Sequence, residues 1–175
     1  MDVRDYELDC EQIVNNANYL HYLEHTRHIF CRKVGFPFIE MHKSGIDAVV
    51  RKLEMEYFTP LTSGDSFISC LNLERKGPRF IFFQEIYKCS PNFTGPDSLL
   101  LIPQKGYGDK DNSDKGEPAK TVVNEVGSDI EETKSDFSSN LGEPVVKAVV
   151  TIVALKDGKL SKGDEIAEAF EKFLS

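Results

Sequence analysis

Apolar positions recur at intervals of three and four residues between positions 16 and 34, which is the spacing of one face of an α-helix. The pattern predicts a helix of about five turns. Asn15 or Asn16 is the expected N-cap, because a short amide side chain accepts hydrogen bonds from the N–H groups of the first turn. Gly35 is expected to end the helix. The positions predicted to face the core are Leu20, Leu23, Arg27, Phe30, Cys31 and Val34.

After this helix the pattern changes to the alternation that is typical of β-strands. Strands are predicted over residues 46–58, 67–75 and 80–87, with turns between them. The nearly continuous β-branched run at 145–155 is typical of a central strand. An amphipathic pattern near the C-terminus predicts a short helix. With a further strand expected before the long helix, the sequence predicts an α+β domain in which an antiparallel, curved sheet wraps one central helix.

Residues 90–144 interrupt this pattern with Gly, Pro, Ser, Asn, Asp and Lys. The only apolar clusters in this segment lie at 99–102 and 122–123. Such a composition cannot bury enough apolar surface to offset chain entropy, so we expect a disordered acidic insertion between the last two strands. The chain is otherwise expected to be one domain over residues 1–175.

The net charge of −8 argues against a nucleic-acid partner, because polyanion binding requires clustered Lys and Arg. No apolar run approaches the roughly 18 residues of a membrane span, and charged residues stand at the N-terminus where a signal peptide has an apolar core. We therefore expect a cytoplasmic protein without a membrane partner. The four cysteines are widely spaced and form no CxxC motif, so neither a zinc site nor a disulfide framework is expected.

One acidic residue, Asp9, stands in a short loop just before the predicted helix start. The first turn of a helix presents unpaired N–H groups and a partial positive charge. These groups can stabilise an oxyanion while a nearby carboxylate attacks a carbonyl or activates water. The predicted oxyanion donors are the N–H groups of Asn16 and Ala17, with the side-chain amide of Asn15 or Asn16 as a supplement. The alternative interpretation of Asp9 is an acid that caps a turn or the helix.

His21, Glu24 and His25 spell H-x-x-E-H, a spacing that places two zinc ligands and a catalytic Glu on some metalloprotease helices. The predicted core stripe leaves these side chains on the flank of the helix. We therefore expect solvated or interface residues there, with no metal and no cofactor.

At the residue level the chain resembles the 4-hydroxybenzoyl-CoA thioesterase-like family of acyl-CoA thioesterases, over residues 3–89 and again over 145–155. The most specific part of the match runs from Asp9 to Tyr19. The other matching positions are Tyr22, Glu24, Arg27, Gly45, Ile46, Val49, Val50, Arg51, Lys52, Glu56, Tyr57 and Pro60.

The resemblance implies the hotdog fold and hydrolysis of acyl-CoA, with Asp9 as the catalytic acid and Asn16 beside it. It also implies a homodimer or homotetramer with the site at the subunit interface. Substrate contacts are expected from Asn15, Ala17 and Tyr19. Arg51 and Lys52 are expected near the phosphates of coenzyme A, because those phosphates need cationic partners.

Two departures from the family pattern keep alternatives open. Bacterial relatives often have Tyr-His where this chain has Asn15 and Asn16. The triplet from Val14 to Asn16 is similar to plant acyl-acyl carrier protein (ACP) thioesterases, whose catalytic His would fall at Ile13. The alternatives are therefore an acyl-ACP thioesterase and a non-catalytic acyl-CoA-binding or sensing module. A hotdog dehydratase is disfavoured, because the motif loop has no His with an acidic partner.

Overall fold

The computed structural model describes residues 1–90, 99–103, 120–124 and 141–174 of the 175-residue chain. Its α-helices are α1 (Asn16–Lys33), α2 (Phe38–Lys43) and α3 (Asp164–Leu174), and a 3-10 turn spans Asp5–Glu7. The strands are β1 (Ile46–Tyr57), β2 (Phe67–Lys76), β3 (Arg79–Cys89), β4 (Leu99–Pro103), β5 (Lys120–Asn124), β6 (Leu141–Lys156) and β7 (Lys159–Leu160). None of the helices within the described residues is long and apolar enough to cross a membrane.

The main sheet is antiparallel, with the strand order β1-β6-β3-β2 and with β7 paired to the end of β6. Strands β6 and β3 are central, and Val150 of β6 lies opposite Phe82 of β3. Side chains alternate between the two faces of a strand, so both residues point to the same face, where they are buried. The predicted α+β class, with a curved antiparallel sheet around one long helix, is confirmed.

Helix α1 packs on this face, and the core forms two apolar clusters along it. The first surrounds the C-terminal half of α1 and includes Phe30, Phe80 and Phe170 of α3. The second surrounds the N-terminal half of α1 and includes Leu23 and Phe67. Ala48 of β1 packs against the first cluster and Met55 against the second, so β1 and α1 run in opposite directions.

The start of α3 depends on a glycine. Gly163 has a φ of +69°, and a Cβ atom there would lie 2.8 Å from a ring carbon of Phe80. A side chain at this position would therefore be strained and would collide with the core.

Several local predictions were wrong. Leu20 is 39% exposed, because the core-facing surface of α1 is formed instead by Tyr19, Tyr22, Leu23 and Thr26. The expected strand before α1 is replaced by the 3-10 turn and by isolated bridges such as Asp2 with Ser66. Helix α2 was not predicted, because its six residues follow Pro37 and are too few to show a period.

Residues 90–144 contain two strands that fall on the two apolar clusters of that segment. Strands β4 and β5 form a separate antiparallel pair, and β4 lies beside β2. Strand β6 begins at Leu141, four residues before the predicted start. The rest of the expected disordered insertion lies outside the described residues.

Candidate active site

A tight loop between Leu8 and Val14 carries Asp9 to the start of α1. Leu8 and Val14 form an antiparallel bridge, and the Asp9 N–H donates to the carbonyl of Ile13 at 2.8 Å. The Gln12 N–H donates to the Asp9 carbonyl at 3.1 Å, and Gln12 has a φ of +63°. This left-handed residue turns the chain sharply within the loop. The backbone at Asp9 is therefore held by hydrogen bonds at both its N–H and its carbonyl.

The two oxygens of the Asp9 carboxylate have different surroundings. Oδ1 accepts from the N–H of Glu11 at 2.9 Å and from the N–H of Ile13 at 3.4 Å. Within the residues that the structure describes, Oδ2 accepts no hydrogen bond. The side chain is partly exposed. Asp9 thus combines an oxygen that fixes its orientation with a second oxygen that is accessible to a ligand.

Asn15 is the N-cap of α1, one of the two predicted caps. Its side-chain Oδ1 accepts from the Ala17 N–H at 3.0 Å, and its carbonyl accepts from the Asn18 N–H at 2.9 Å. The Ala17 N–H, which was predicted as an oxyanion donor, is therefore occupied by the cap. Asn16 is exposed and is the first residue of α1, where an N–H group has no acceptor within the helix. Among the predicted backbone donors, the geometry favours the N–H of Asn16.

Tyr19 was predicted to contact substrate, and the structure places it in the core. Only 3% of it is exposed. Its hydroxyl accepts a hydrogen bond from the Leu61 N–H at 3.0 Å, and its ring makes an edge contact with Tyr57, with 5.6 Å between centroids. Burial raises the pKa of Tyr19 above its ordinary value, although the hydrogen bond from Leu61 lowers it. The Tyr57 hydroxyl donates to the Asn16 carbonyl at 3.3 Å, so this pair of rings supports the start of α1.

Arg51 and Lys52 do not meet Asp9 within one chain. Both are exposed residues of β1, and the register between β1 and β6 shifts at Arg51, which forms a β-bulge. Lys52 pairs with Glu54 at 2.8 Å. Tyr57 marks the end of β1 beside α1, and six residues of strand separate it from Arg51, about 20 Å. A role for these cations at the site therefore requires a second copy of the chain.

The loop rests on the segment that follows β1. The Val14 N–H donates to the Leu61 carbonyl at 2.9 Å, and Ile13 bridges Thr62. Asp65 closes that segment, because its Oδ2 accepts from the Thr62 N–H at 2.8 Å and pairs with the Lys88 Nζ at 2.7 Å. The Asp9 loop is therefore supported by the segment between β1 and β2.

Sequence reasoning missed a buried acid beside the loop. Glu7 is only 6% exposed, and its Oε2 accepts from the Arg4 N–H at 2.8 Å and from the Tyr22 hydroxyl at 2.7 Å. The three-residue spacing of Arg4 and Glu7 is the spacing at which an acid side chain returns to a preceding backbone N–H, and this signal was available in the sequence.

The H-x-x-E-H residues lie on the solvent side of α1. His21, Glu24 and His25 are all exposed, as predicted. Over the described residues, no group of three His, Cys, Asp or Glu side chains is arranged to hold a metal ion.

Comparisons with known proteins show that part of this chain is similar to thioesterases. Residues 11–87 match the model of the Thioesterase superfamily. A chloroplastic acyl-acyl carrier protein thioesterase of Arabidopsis thaliana is 36% identical over 92 residues, which are 53% of this chain and 48% of the relative. A putative esterase of Aquifex aeolicus is 40% identical over 80 residues, 46% of this chain and 62% of the relative. The chain thus spans about half the length of the plant relative.

Among solved structures, a 1,4-dihydroxy-2-naphthoyl-CoA thioesterase from Synechocystis superposes with a TM-score of 0.64. The sequence identity is 10%, and the alignment covers 99% of this chain and 91% of that one. The chain therefore has the hotdog fold. The match over residues 11–87 confirms the predicted resemblance to the thioesterase superfamily.

Proposed function

We propose that the protein hydrolyses a thioester between an acyl group and a phosphopantetheine carrier, with Asp9 as the catalytic carboxylate. One observation carries the proposal: Asp9 Oδ1 is fixed by two loop N–H groups, while Oδ2 accepts no hydrogen bond from the described residues, in the loop that leads into α1. A carboxylate held in this way can react without first reorganising. The match of residues 11–87 to the Thioesterase superfamily, which begins two residues after Asp9, supports thioester hydrolysis as the reaction.

Two chemical routes use the same oxygen. In one, Oδ2 attacks the thioester carbonyl, the thiolate leaves, and water hydrolyses the resulting anhydride. In the other, Oδ2 takes a proton from a water molecule, which then attacks the carbonyl and expels the thiolate. In both routes the carbonyl oxygen becomes an oxyanion, for which we propose the Asn16 N–H as a donor.

The carrier is either coenzyme A or acyl carrier protein. The Synechocystis structure is named as a CoA thioesterase and the Arabidopsis relative as an acyl-ACP thioesterase. We propose acyl-CoA as the first choice, because Arg51 and Lys52 offer cations to its phosphates. Acyl-ACP is the alternative, and it is favoured by the triplet from Val14 to Asn16.

A homodimer, or a homotetramer built from two of them, is part of the proposal. Strand β1 is an edge strand, and several large apolar residues on it and just after it are between 38% and 54% exposed. They are Val49, Val50, Leu53, Tyr57 and Phe58. A long apolar edge favours pairing with a second chain. We expect light scattering to give at least a dimer, and the double variant Val50→Lys with Leu53→Lys to give a monomer.

The test of the function is a hydrolysis panel on the full chain. Acyl-CoAs and acyl-ACPs of graded chain length are supplied, and the released thiol is measured with a thiol reagent. We expect turnover with at least one carrier, and the ratio of kcat/KM between carriers identifies the substrate. Saturable binding of acyl-CoA without thiol release would contradict hydrolysis and favour the sensing module.

A further inference from the structure

Glu7 accepts four hydrogen bonds around the entrance to the Asp9 loop. Its carboxylate accepts from the Arg4 N–H at 2.8 Å and from the Tyr22 hydroxyl at 2.7 Å. Its backbone carbonyl accepts from the Asn15 N–H at 2.9 Å and from the Asn18 Nδ2 at 2.7 Å. Three of these donors belong to the N-cap and the first two turns of α1. Glu7 is therefore the point at which the chain before Asp9 is attached to the helix.

We propose that Glu7, Asn18 and Tyr22, here called the Glu7 clasp, are positioning residues that set the Asp9 carboxylate against the N-terminus of α1. The inference rests on the proposed function. Asp9 follows Glu7 by two residues, and the intervening Leu8 is bridged to Val14. Because Asn18 and Tyr22 are four residues apart, both side chains point to the same side of α1. They therefore donate their hydrogen bonds to Glu7 from one face of the helix.

The hydrogen-bonding groups of the Glu7 clasp are suited to holding the Asp9 loop in place rather than to transferring protons. Burial, and then the hydrogen bond to Glu7, raise the pKa of Tyr22 well above its ordinary range. The tyrosine therefore stays a hydrogen-bond donor at neutral pH. The Asn18 contact involves the backbone carbonyl of Glu7, which does not titrate.

The clasp predicts a particular pattern among three variants. Tyr22→Phe and Asn18→Ala each remove one donor, and we expect kcat to fall about ten- to hundredfold with little change in KM, since a small misplacement of a reacting group has this effect. Glu7→Gln keeps an acceptor oxygen with two lone pairs, so we expect kcat within about threefold of the wild type.

A matched control separates positioning from stability. Thr26→Val removes two buried hydrogen bonds one turn further along α1: the Thr26 hydroxyl donates to the Tyr22 carbonyl, and its oxygen accepts from the Ser69 hydroxyl. It destabilises the same helix without touching the Asp9 loop. We expect this variant to unfold at a lower temperature and to keep the wild-type kcat.

The experiment has a second readout that does not depend on turnover. Hydrogen exchange of the amides of residues 8–14 is compared with that of β3 in the wild type and in each variant. We expect the loop to exchange at least about tenfold faster, relative to β3, in Tyr22→Phe and Asn18→Ala and unchanged in Thr26→Val.

Unchanged kcat and unchanged loop exchange in Tyr22→Phe and Asn18→Ala would overturn the clasp. Loss of activity in Glu7→Gln with normal loop exchange would also overturn it, because Glu7 would then act chemically. A wild type that hydrolyses no thioester would contradict the proposed function alone, since the exchange measurement still decides whether the clasp orders the loop.

Discussion

The guanidinium of Arg27 donates a 2.7 Å hydrogen bond from Nη1 to the side-chain Oε1 of Gln84, inside the core. Arg27 is 6% exposed and Gln84 is 1% exposed, so the contact ties α1 to the central strand β3 away from water. The amide of Gln84 also donates from Nε2 to the Leu23 carbonyl at 2.9 Å. Burial lowers the pKa of Arg27, while Glu24 raises it.

Replacing Gln84 tests how much its hydrogen bond with Arg27 stabilises the fold. Gln84→Met keeps the side-chain length but removes the acceptor of the hydrogen bond from the buried Arg27 guanidinium and the additional donor to the Leu23 carbonyl. We expect the free energy of unfolding to fall by about 3 kcal/mol, because a buried charge that loses its partner is costly. Urea unfolding followed by circular dichroism measures the change. A loss below about 0.5 kcal/mol would show that solvent reaches Arg27.

The lowered pKa of Asp65 predicts that the folded protein is less stable in acid. Partial burial raises the pKa of its carboxyl, but the hydrogen bonds from Lys88 and Thr62 more than offset this and hold the pKa below its usual value. A carboxyl with a lowered folded-state pKa stabilises the protein above its unfolded pKa, near 4, and this stabilisation disappears as the pH falls through the folded pKa.

The corresponding variant is Asp65→Asn. We expect it to be less stable than the wild type at pH 7 and to approach the wild type as the pH is lowered below about 4. Thermal unfolding midpoints between pH 7 and pH 3 measure the difference. Lys88→Met removes the other partner and is expected to give the same convergence. A constant difference across this range would contradict the assignment.

The register of the sheet predicts that most of the 90–144 insertion is dispensable. Cys89 at the end of β3 lies opposite Leu141 at the start of β6, so the two ends of the insertion are neighbours. Replacing residues 94–140 with a short Gly- and Asn-containing turn therefore closes a hairpin, and loop length itself carries a small entropic cost.

We expect this deletion variant to keep kcat within about threefold of the wild type and to retain the helices and strands of the rest of the chain, without β4 and β5. Circular dichroism measures the secondary structure, and the thiol-release assay measures kcat. A well-folded deletion variant without activity would contradict the interpretation of the insertion as a passenger and would give it a part in the reaction.

The elements with a strong internal period were predictable from the sequence. The three- and four-residue spacing placed the long helix at 16–34, and α1 spans Asn16–Lys33. The β-branched run at 145–155 indicated a central strand, and β6 pairs with β1 on one side and with β3 on the other. These patterns are informative because one face of each element must be buried over many residues.

Features that depend on tertiary contacts were not predictable in this way. The sequence does not indicate that Tyr22, rather than Leu20, faces the core. A rotation of α1 by a fraction of a turn about its axis decides which of the two side chains is buried. The Arg51 bulge and the burial of Glu7 arise from contacts between distant segments. The sequence predicted Asn15 or Asn16 as the N-cap, but it did not predict that the cap occupies the Ala17 N–H.

The measurement that tests the account most directly compares kcat for thiol release in the wild type, in Asp9→Asn and in Asp157→Asn. Asp157 is an exposed loop acid beside Gly45, at the end of the molecule where β1 begins, so its amide variant is a matched control. We expect Asp9→Asn to remain folded and to lose at least about a hundredfold in kcat, while Asp157→Asn keeps the wild-type value. A folded Asp9→Asn protein with near wild-type kcat would contradict the central claim.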